Sequence, residues 1–246
     1  MKKSVQLLVF SAFLTGLVAN AQSSSNDKNK IKGNGKVVTE TRNTGDYDAI
    51  KVGGPFDVNL VAGKEGKITI KGEENLLAVI KVEVEDNALK IYVDKTANIR
   101  PSSGHEIEIT VPFEKISAVS LAGSGDIQSK DKIKSDTFSA KLSGSGNFNL
   151  NVDSNDFELN LSGSGDVILK GSADKFTSKL AGSGNVNASD LKSKTVDANV
   201  SGSGNSIVNC EGNLTARVSG SGNIKYLGNP EKRDVKVSGS GNITKG

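Results

Sequence analysis

From Leu121 to its end the chain repeats one short phrase seven times: an aliphatic residue, a small residue, then Gly-Ser-Gly followed by Asp or Asn. The copies begin at Gly123, Gly144, Gly163, Gly182, Gly202, Gly220 and Gly239, at intervals of 21, 19, 19, 20, 18 and 19 residues. Repeats this short are stacked units that bury one another's apolar faces rather than closing a core of their own. Between the phrases the apolar residues alternate with period two. In the second copy Phe138, Ala140 and Leu142 point one way and Ser143-Gly144-Ser145-Gly146-Asn147 turns the chain. Phe148, Leu150 and Val152 follow on the next arm, and Asp153-Ser154-Asn155-Asp156 turns it back toward Phe157, Leu159 and Leu161. Alternation puts one side of each strand inward, and equivalent strands of successive copies must lie parallel, about 4.8 Å apart. The predicted fold is all-β: a flattened parallel β-helix, or β-solenoid, with two main strands per coil and Gly-Ser-Gly-Asp/Asn corners. Right-handed winding, the commoner choice, is expected.

A tight corner demands positive φ, which Gly adopts freely and Asn or Asp adopts best among the rest. Stacking then aligns Asp126, Asn147, Asp166, Asn185, Asn205, Asn223 and Asn242 into one ladder of amides and carboxylates along the solenoid. Val52-Gly53-Gly54-Pro55-Phe56-Asp57-Val58 aligns with Leu142 to Phe148 and is a disguised eighth copy, which adds Asp57 to the ladder. The 69 residues from Gly54 to Gly123 leave room for about three longer coils. Residues 37–120 are therefore expected to be the irregular start and cap of the solenoid, and 121–246 its regular part. A separate small β-domain over 37–120 is the alternative. No segment after the leader carries a helical stripe; Glu73 to Ile80 reads as a turn or a single helical excursion.

Met1-Lys2-Lys3, the apolar run from Val5 to Val18 and the small residues of Ala19-Asn20-Ala21 have the layout of a secretory signal peptide, residues 1–21. The apolar run is too short to span a bilayer comfortably. Residues 22–36 are polar and read as a flexible leader. Removing the signal leaves the chain close to neutral, with scattered lysines, no tryptophan and only 4% aromatic residues. No nucleic-acid partner and no membrane span are expected in the mature chain. Cys210 is the only cysteine, so there is no intrachain disulfide, and the alternation points it inward as an inert thiol.

The run Tyr47-Asp48-Ala49-Ile50-Lys51-Val52-Gly53-Gly54-Pro55-Phe56-Asp57-Val58, the signal peptide and the train of Gly-Ser-Gly-Asp/Asn corners together resemble the head GIN domain family. Its members are described as autotransporter adhesins and are common in the Bacteroidetes. The resemblance, from about Tyr47 to Asn242, implies a parallel β-helix exposed in the cell envelope with a role in adhesion. It carries no catalytic residues. The repeats run to Lys245-Gly246 without a membrane β-barrel after them, so self-translocation of the kind a true autotransporter performs is not expected.

Asp126 and Asp166 fall two coils apart, roughly 9–10 Å, near the upper limit for an inverting carboxylate pair. Asn at the equivalent corners says instead that the position wants a turn former. The repeat is about twice as long as that of calcium-binding nonapeptide solenoids, and most of its acceptor positions are neutral Asn. Phosphate-binding glycine loops need a following helix, whereas a strand follows each corner here. His105, the single histidine, reads as a loop residue. No metal, cofactor or catalytic residue is therefore assigned. Two functions remain. The first is a non-enzymatic exported protein, in the periplasm, on the outer membrane or secreted. It would present the ladder, with Lys141, Lys170, Lys179 and Lys225 nearby, to a glycan or a cell-surface protein. The second is a polysaccharide lyase or hydrolase with a site in the irregular coils, where Tyr47, Tyr92, Arg100 and His105 would converge. The last coil carries no cap, so self-association through it, as a homo-oligomer, is also expected.

Overall fold

The structure, a computed structural model, describes residues 30–246; the expected signal peptide and residues 22–29 lie outside the described residues. Two stacks of parallel strands face each other across one apolar core. The leading stack holds the arms that leave the glycine corners, and the trailing stack holds the arms that run into them. In the regular region a single hydrogen-bonded segment spans both arms of a coil, as in Asn147–Gly163 and Asp166–Gly182. The expected second turn is thus a bend within a continuous ladder rather than a break. Pairing skips one position per coil there: Ser135 pairs with Ser154 and Thr137 with Asp156, leaving Asp136 and Asn155 at the apex. We call this the far corner. Coils of unequal length stay aligned because the excess is absorbed by register shifts between Ile168 and Lys170 and between Ala188 and Lys192. The glycine corners themselves pair Gly for Gly.

Inward positions are filled by aliphatic residues and by one column of phenylalanine. Phe138, Phe157 and Phe176 stack with ring centroids 5.5 and 5.3 Å apart, a tilted geometry that adds to the burial of each ring. Cys210 is buried where the alternation places it, and burial pushes its thiol pKa up.

The N-terminal part joins the same sheet but not in the expected order. The eighth corner is real: Gly54 has φ +145° and Gly53 pairs with Ala122. The coil Ala49–Ala62 therefore lies directly under the coil Ala118–Ser129, with no coils between them. The intervening chain goes to the other side. Ala88–Val93 pairs beneath Ala49–Gly53, and Ile107–Phe113 beneath Phe56–Ala62. The remaining strands close this end: Lys67–Glu73 runs antiparallel to Ile107–Phe113, Val37–Asn43 antiparallel to Lys67–Glu73, and Ile80–Glu85 antiparallel to Ala88–Val93. One helical turn, Glu74–Leu77, plugs the base with buried Leu76 and Leu77.

Part of the expected leader is also structured. Lys30–Lys32 pairs in parallel with Asn98–Arg100. Glu73 explains why. Its fully buried carboxylate accepts hydrogen bonds from the Gly35 amide (2.6 Å), the Ser102 amide (2.8 Å) and the Ser102 hydroxyl (2.6 Å), pinning leader, cap and loop together. Burial alone would raise its pKa, but these bonds outweigh it and hold the group below the ordinary carboxylate value.

Candidate functional site

The corner phrase is explained by the coil beneath it. The first Gly of each corner adopts positive φ, +127° at Gly144 and +134° at Gly163, and its carbonyl points up the stack. The next coil's Ser and second Gly amides converge on that oxygen: Ser183 and Gly184 donate to Gly163 at 3.0 and 3.1 Å, and Ser203 and Gly204 to Gly182 at 2.9 and 3.1 Å. The second Gly needs no special φ but must have no side chain. A Cβ on Gly165 would sit 1.8 Å from the Gly146 carbonyl oxygen and 3.1 Å from Leu142 Cδ2. The aliphatic residue that opens the phrase fills the space under the second glycine of the coil above.

The ladder residues lie in register. Asp126 pairs with Asn147, Asp166 with Asn185, Asn185 with Asn205, Asn205 with Asn223 and Asn223 with Asn242. One side-chain oxygen of each residue from Asp126 to Asn223 accepts from the coil above. Asn147 donates from its backbone (3.0 Å) and side-chain amide (2.9 Å) to Asp126 Oδ1, and the Asp166 amide donates to Asn147 Oδ1 at 3.0 Å. Asn185 repeats both bonds to Asp166 Oδ1. Asn147 thus lies between Asp126 and Asp166 and bonds to both, so these two acids do not face an open gap. Asp and Asn alternate from Asp126 to Asn185, which keeps like charges off adjacent coils. The exception is at the base, where Glu108 pairs with Asp57 and Asp57 lies beneath Asp126. Burial first, then Asp126, raises the Asp57 pKa. Asp57, Asp126, Glu106 and His105 border a recess of about 370 Å³ there. Among the described residues no cluster of His, Cys, Asp and Glu is arranged to hold a metal ion.

Tyr47, Tyr92, Arg100 and His105 do not converge. Tyr47 is buried near the far corner and donates to the Pro112 carbonyl, at the opposite end of Ile107–Phe113 from His105. Tyr92 donates to Glu83 across the hairpin with Ile80–Glu85 (2.8 Å), and Arg100 is an exposed partner of Lys32.

A broad concavity lies at the far corner, which the sequence marked only as a turn. A groove of about 880 Å³ runs across successive coils from Lys115 to Glu211. Ser135, Ser154, Ala173 and Ser193 stack along it as a small-residue floor. One wall is the column Lys134, Asp153, Ser172 and Lys192, and the other is the apex residues Asp136, Asn155, Asp174 and Lys194. Several acids in it are already engaged. Ser172 and Lys132 bond Asp153 and hold its carboxyl below the ordinary range, with the Lys132 contact at 3.2 Å. Lys194 pairs with Asp174 at 2.7 Å, and Asn155 donates to Asp136 at 3.3 Å. The ammonium groups of Lys115, Lys134 and Lys192 are exposed and make no ion pair among the described residues. The signal missed in the sequence was the recurrence of Ser or Ala one place before each apex.

Residues 46–230 match the family described as "Putative auto-transporter adhesin, head GIN domain". The chain belongs to that family. The crystal structure of "a putative adhesin" from Bacteroides fragilis NCTC 9343 is similar to this head GIN chain with a TM-score of 0.80 and 26% identity, covering 87% of this chain and 99% of that one. A "putative lipid binding protein" from Parabacteroides distasonis ATCC 8503 matches with a TM-score of 0.70 and 26% identity over 88% and 99% of the two chains. A "putative adhesin" from the same strain, at 23% identity and TM-score 0.72 over 89% and 100%, shares the fold. None of the curated proteins matches the chain. Among the described residues no helix is long and apolar enough to cross a membrane.

Proposed function

We propose that this head GIN chain is a non-enzymatic, exported cell-envelope protein that works as an adhesin head, gripping an extended ligand through the far-corner groove. The observation that carries this reading is the contrast between the two corners. At the glycine corner one side-chain oxygen of each residue from Asp126 to Asn223 already holds the next coil, so the ladder, the expected ligand face, has part of its bonding capacity committed to stacking. At the far corner a concave surface crosses several coils and keeps ammonium groups without an ion pair and serine oxygens with acceptor capacity left. A repetitive ligand lying along it would gain from many weak contacts at once. The family description fits this role, and the separation of Tyr47, Tyr92, Arg100 and His105 weighs against the lyase or hydrolase alternative.

Binding of the mature protein to arrayed glycans and to outer-surface proteins, alongside a polysaccharide-degradation screen, tests the reading. Saturable binding without release of reducing or unsaturated ends is expected; release of such ends would refute it. Protease shaving of intact cells should remove the protein if it is surface-exposed. The reading includes association through the last coil. Lys232–Gly239 is paired on one side only, and its inward Val235 and Val237 are 49% and 41% exposed. Light scattering should show mass rising with concentration, and a Val235→Lys variant should stay monomeric.

A further inference from the structure

We infer that the far-corner groove binds an acidic linear polysaccharide, one carrying carboxylate or sulfate groups, laid parallel to the solenoid axis between Lys115 and Lys192. The inference rests on the adhesin reading above and names its ligand class. Three observations carry it.

The first is charge. The groove contains as many acids as bases, but they are not equally available. Asp153 is held by Lys132 and Ser172, and Asp174 by Lys194, whereas Asp136 accepts only the neutral amide of Asn155 and keeps its charge. Between the two ends the three exposed ammoniums of Lys115, Lys134 and Lys192, which make no ion pair among the described residues, then outnumber the one unpaired carboxylate. Lys134 and Lys192 occupy the same column three coils apart, roughly 14 Å at the usual strand spacing. Glu211, at the other end, is an acid that repels an anionic chain running farther.

The second is the floor. The Ser154 hydroxyl donates to the Asp156 carbonyl at 2.8 Å, and the Ser135 hydroxyl to the Thr137 carbonyl at 2.7 Å. Each oxygen keeps its acceptor capacity, which suits the hydroxyl donors of a sugar. No aromatic residue lines the groove, so a neutral glycan would lack a ring to stack on.

The third is pitch. Floor and wall residues recur once per coil, about 4.8 Å, close to the advance of one sugar in an extended pyranose chain, whereas an extended peptide advances about 3.3 Å per residue. Successive sugars therefore meet the floor and walls at the same register in each coil, and successive amino acids do not. From Lys115 to Lys192 the groove crosses four coil steps, roughly 19 Å, so about four sugars fill it.

The test is titration of the mature protein with oligogalacturonates of two to six sugars, with heparin oligosaccharides, and with the carboxyl-reduced oligogalacturonates. We expect affinity for one acidic series to rise up to about four sugars and then level off, to fall with salt, and to be absent for the reduced series. Lys134→Glu/Lys192→Glu should lower affinity at least tenfold, and Lys134→Gln/Lys192→Gln by less. Lys141→Glu/Lys179→Glu, on the other outer face, should bind like the parent, and circular dichroism should show all three folded. Binding unchanged in both groove variants, or equal binding of the reduced series, overturns the inference. If the protein then still binds arrayed neutral glycans or a surface protein, the adhesin reading stands without this ligand; if it binds nothing, both fall.

Discussion

Gly165→Ala is the smallest change that tests how the solenoid is held together. The new Cβ would lie 1.8 Å from the Gly146 carbonyl oxygen, a backbone atom that cannot swing aside. Restoring an ordinary contact requires the two coils to part locally by about 1.5 Å, which takes hydrogen bonds past their useful length. The bonds on that step are Ser164 N to Gly144 O and Asp166 N to Asn147 Oδ1, each 3.0 Å. Losing both costs about 2 kcal/mol, and the strain that remains against Leu142 adds about 1–2 kcal/mol. The expected destabilisation is therefore about 3–4 kcal/mol. Because each coil touches only its neighbours, the damage should split the array at one interface and broaden or divide the unfolding transition. Urea denaturation followed by far-UV circular dichroism measures the loss, and hydrogen exchange at 163–166 and 182–185 locates it. Two controls sharpen the result. Ser164 is exposed between the two glycines, and Gly45 has open space where a Cβ would go, so Ser164→Ala and Gly45→Ala should each stay within about 0.5 kcal/mol of the parent. If Gly165→Ala behaves like either control, the close-stacking account of the second glycine is wrong.

Three further outcomes follow from the core and the N-terminal cap. Phe157 sits between Phe138 and Phe176 in the core, so Phe157→Ala should cost about 3–5 kcal/mol by denaturation, the upper range for a cavity that two stacked rings cannot refill. The Gly35 and Ser102 amides donate to different oxygens of Glu73, so Glu73→Gln turns an amide donor toward one of them and should cost about 1–3 kcal/mol at neutral pH. The native Glu73 carboxyl lies below its ordinary pKa, so its stabilisation is present above about pH 4.5 and is lost as pH falls through the folded value. Parent and variant Tm values should therefore converge in acid, and a constant gap would count against the clamp. Asp57 is shifted the opposite way: its stabilising protonated form is lost as pH rises from the ordinary value of 3.8 through the raised one. Asp57→Asn should thus raise stability by about 0.5 kcal/mol at pH 7, with no gain below pH 3.8 in a pH series of Tm.

The sequence made the regular coils legible because each local signal had one structural meaning. Phe138, Ala140, Leu142, Phe148, Leu150 and Val152 all face the core, and Cys210 joins them as the alternation requires. The corner glycines could be identified as corners from their spacing alone. Why the second one must be glycine could not, because the atom it avoids belongs to the coil below. Stacking order was equally hidden. Ala49–Gly53 and Ala118–Gly123 are neighbours although 64 residues intervene, because the chain adds a coil beneath the first before crossing back above it. Alternation gives the inward face of a strand and says nothing about which strand lies beside it. Glu73 reads in the sequence as the first residue of a turn or helical excursion, and only the folded cap brings Gly35 and Ser102 to its carboxylate.

The two corners also show why the most conspicuous motif was the less informative guide to binding. A residue repeated in every coil at a point of close backbone approach is constrained by stacking, and part of its polar capacity is committed to that stacking. Asn147 illustrates the limit: its backbone and side-chain amides donate downward to Asp126, and its side-chain oxygen accepts from Asp166 above. Variation from coil to coil carries the opposite message. At the far corner the apex changes from Asp136 to Asn155, Asp174 and Lys194, and the wall from Lys134 to Asp153, Ser172 and Lys192. The bend there needs only a small residue one place before the apex, so the walls are free to differ without disturbing the stack. In a solenoid, chemistry specific to one protein has room where the repeat relaxes, and the far-corner groove is such a place on this chain.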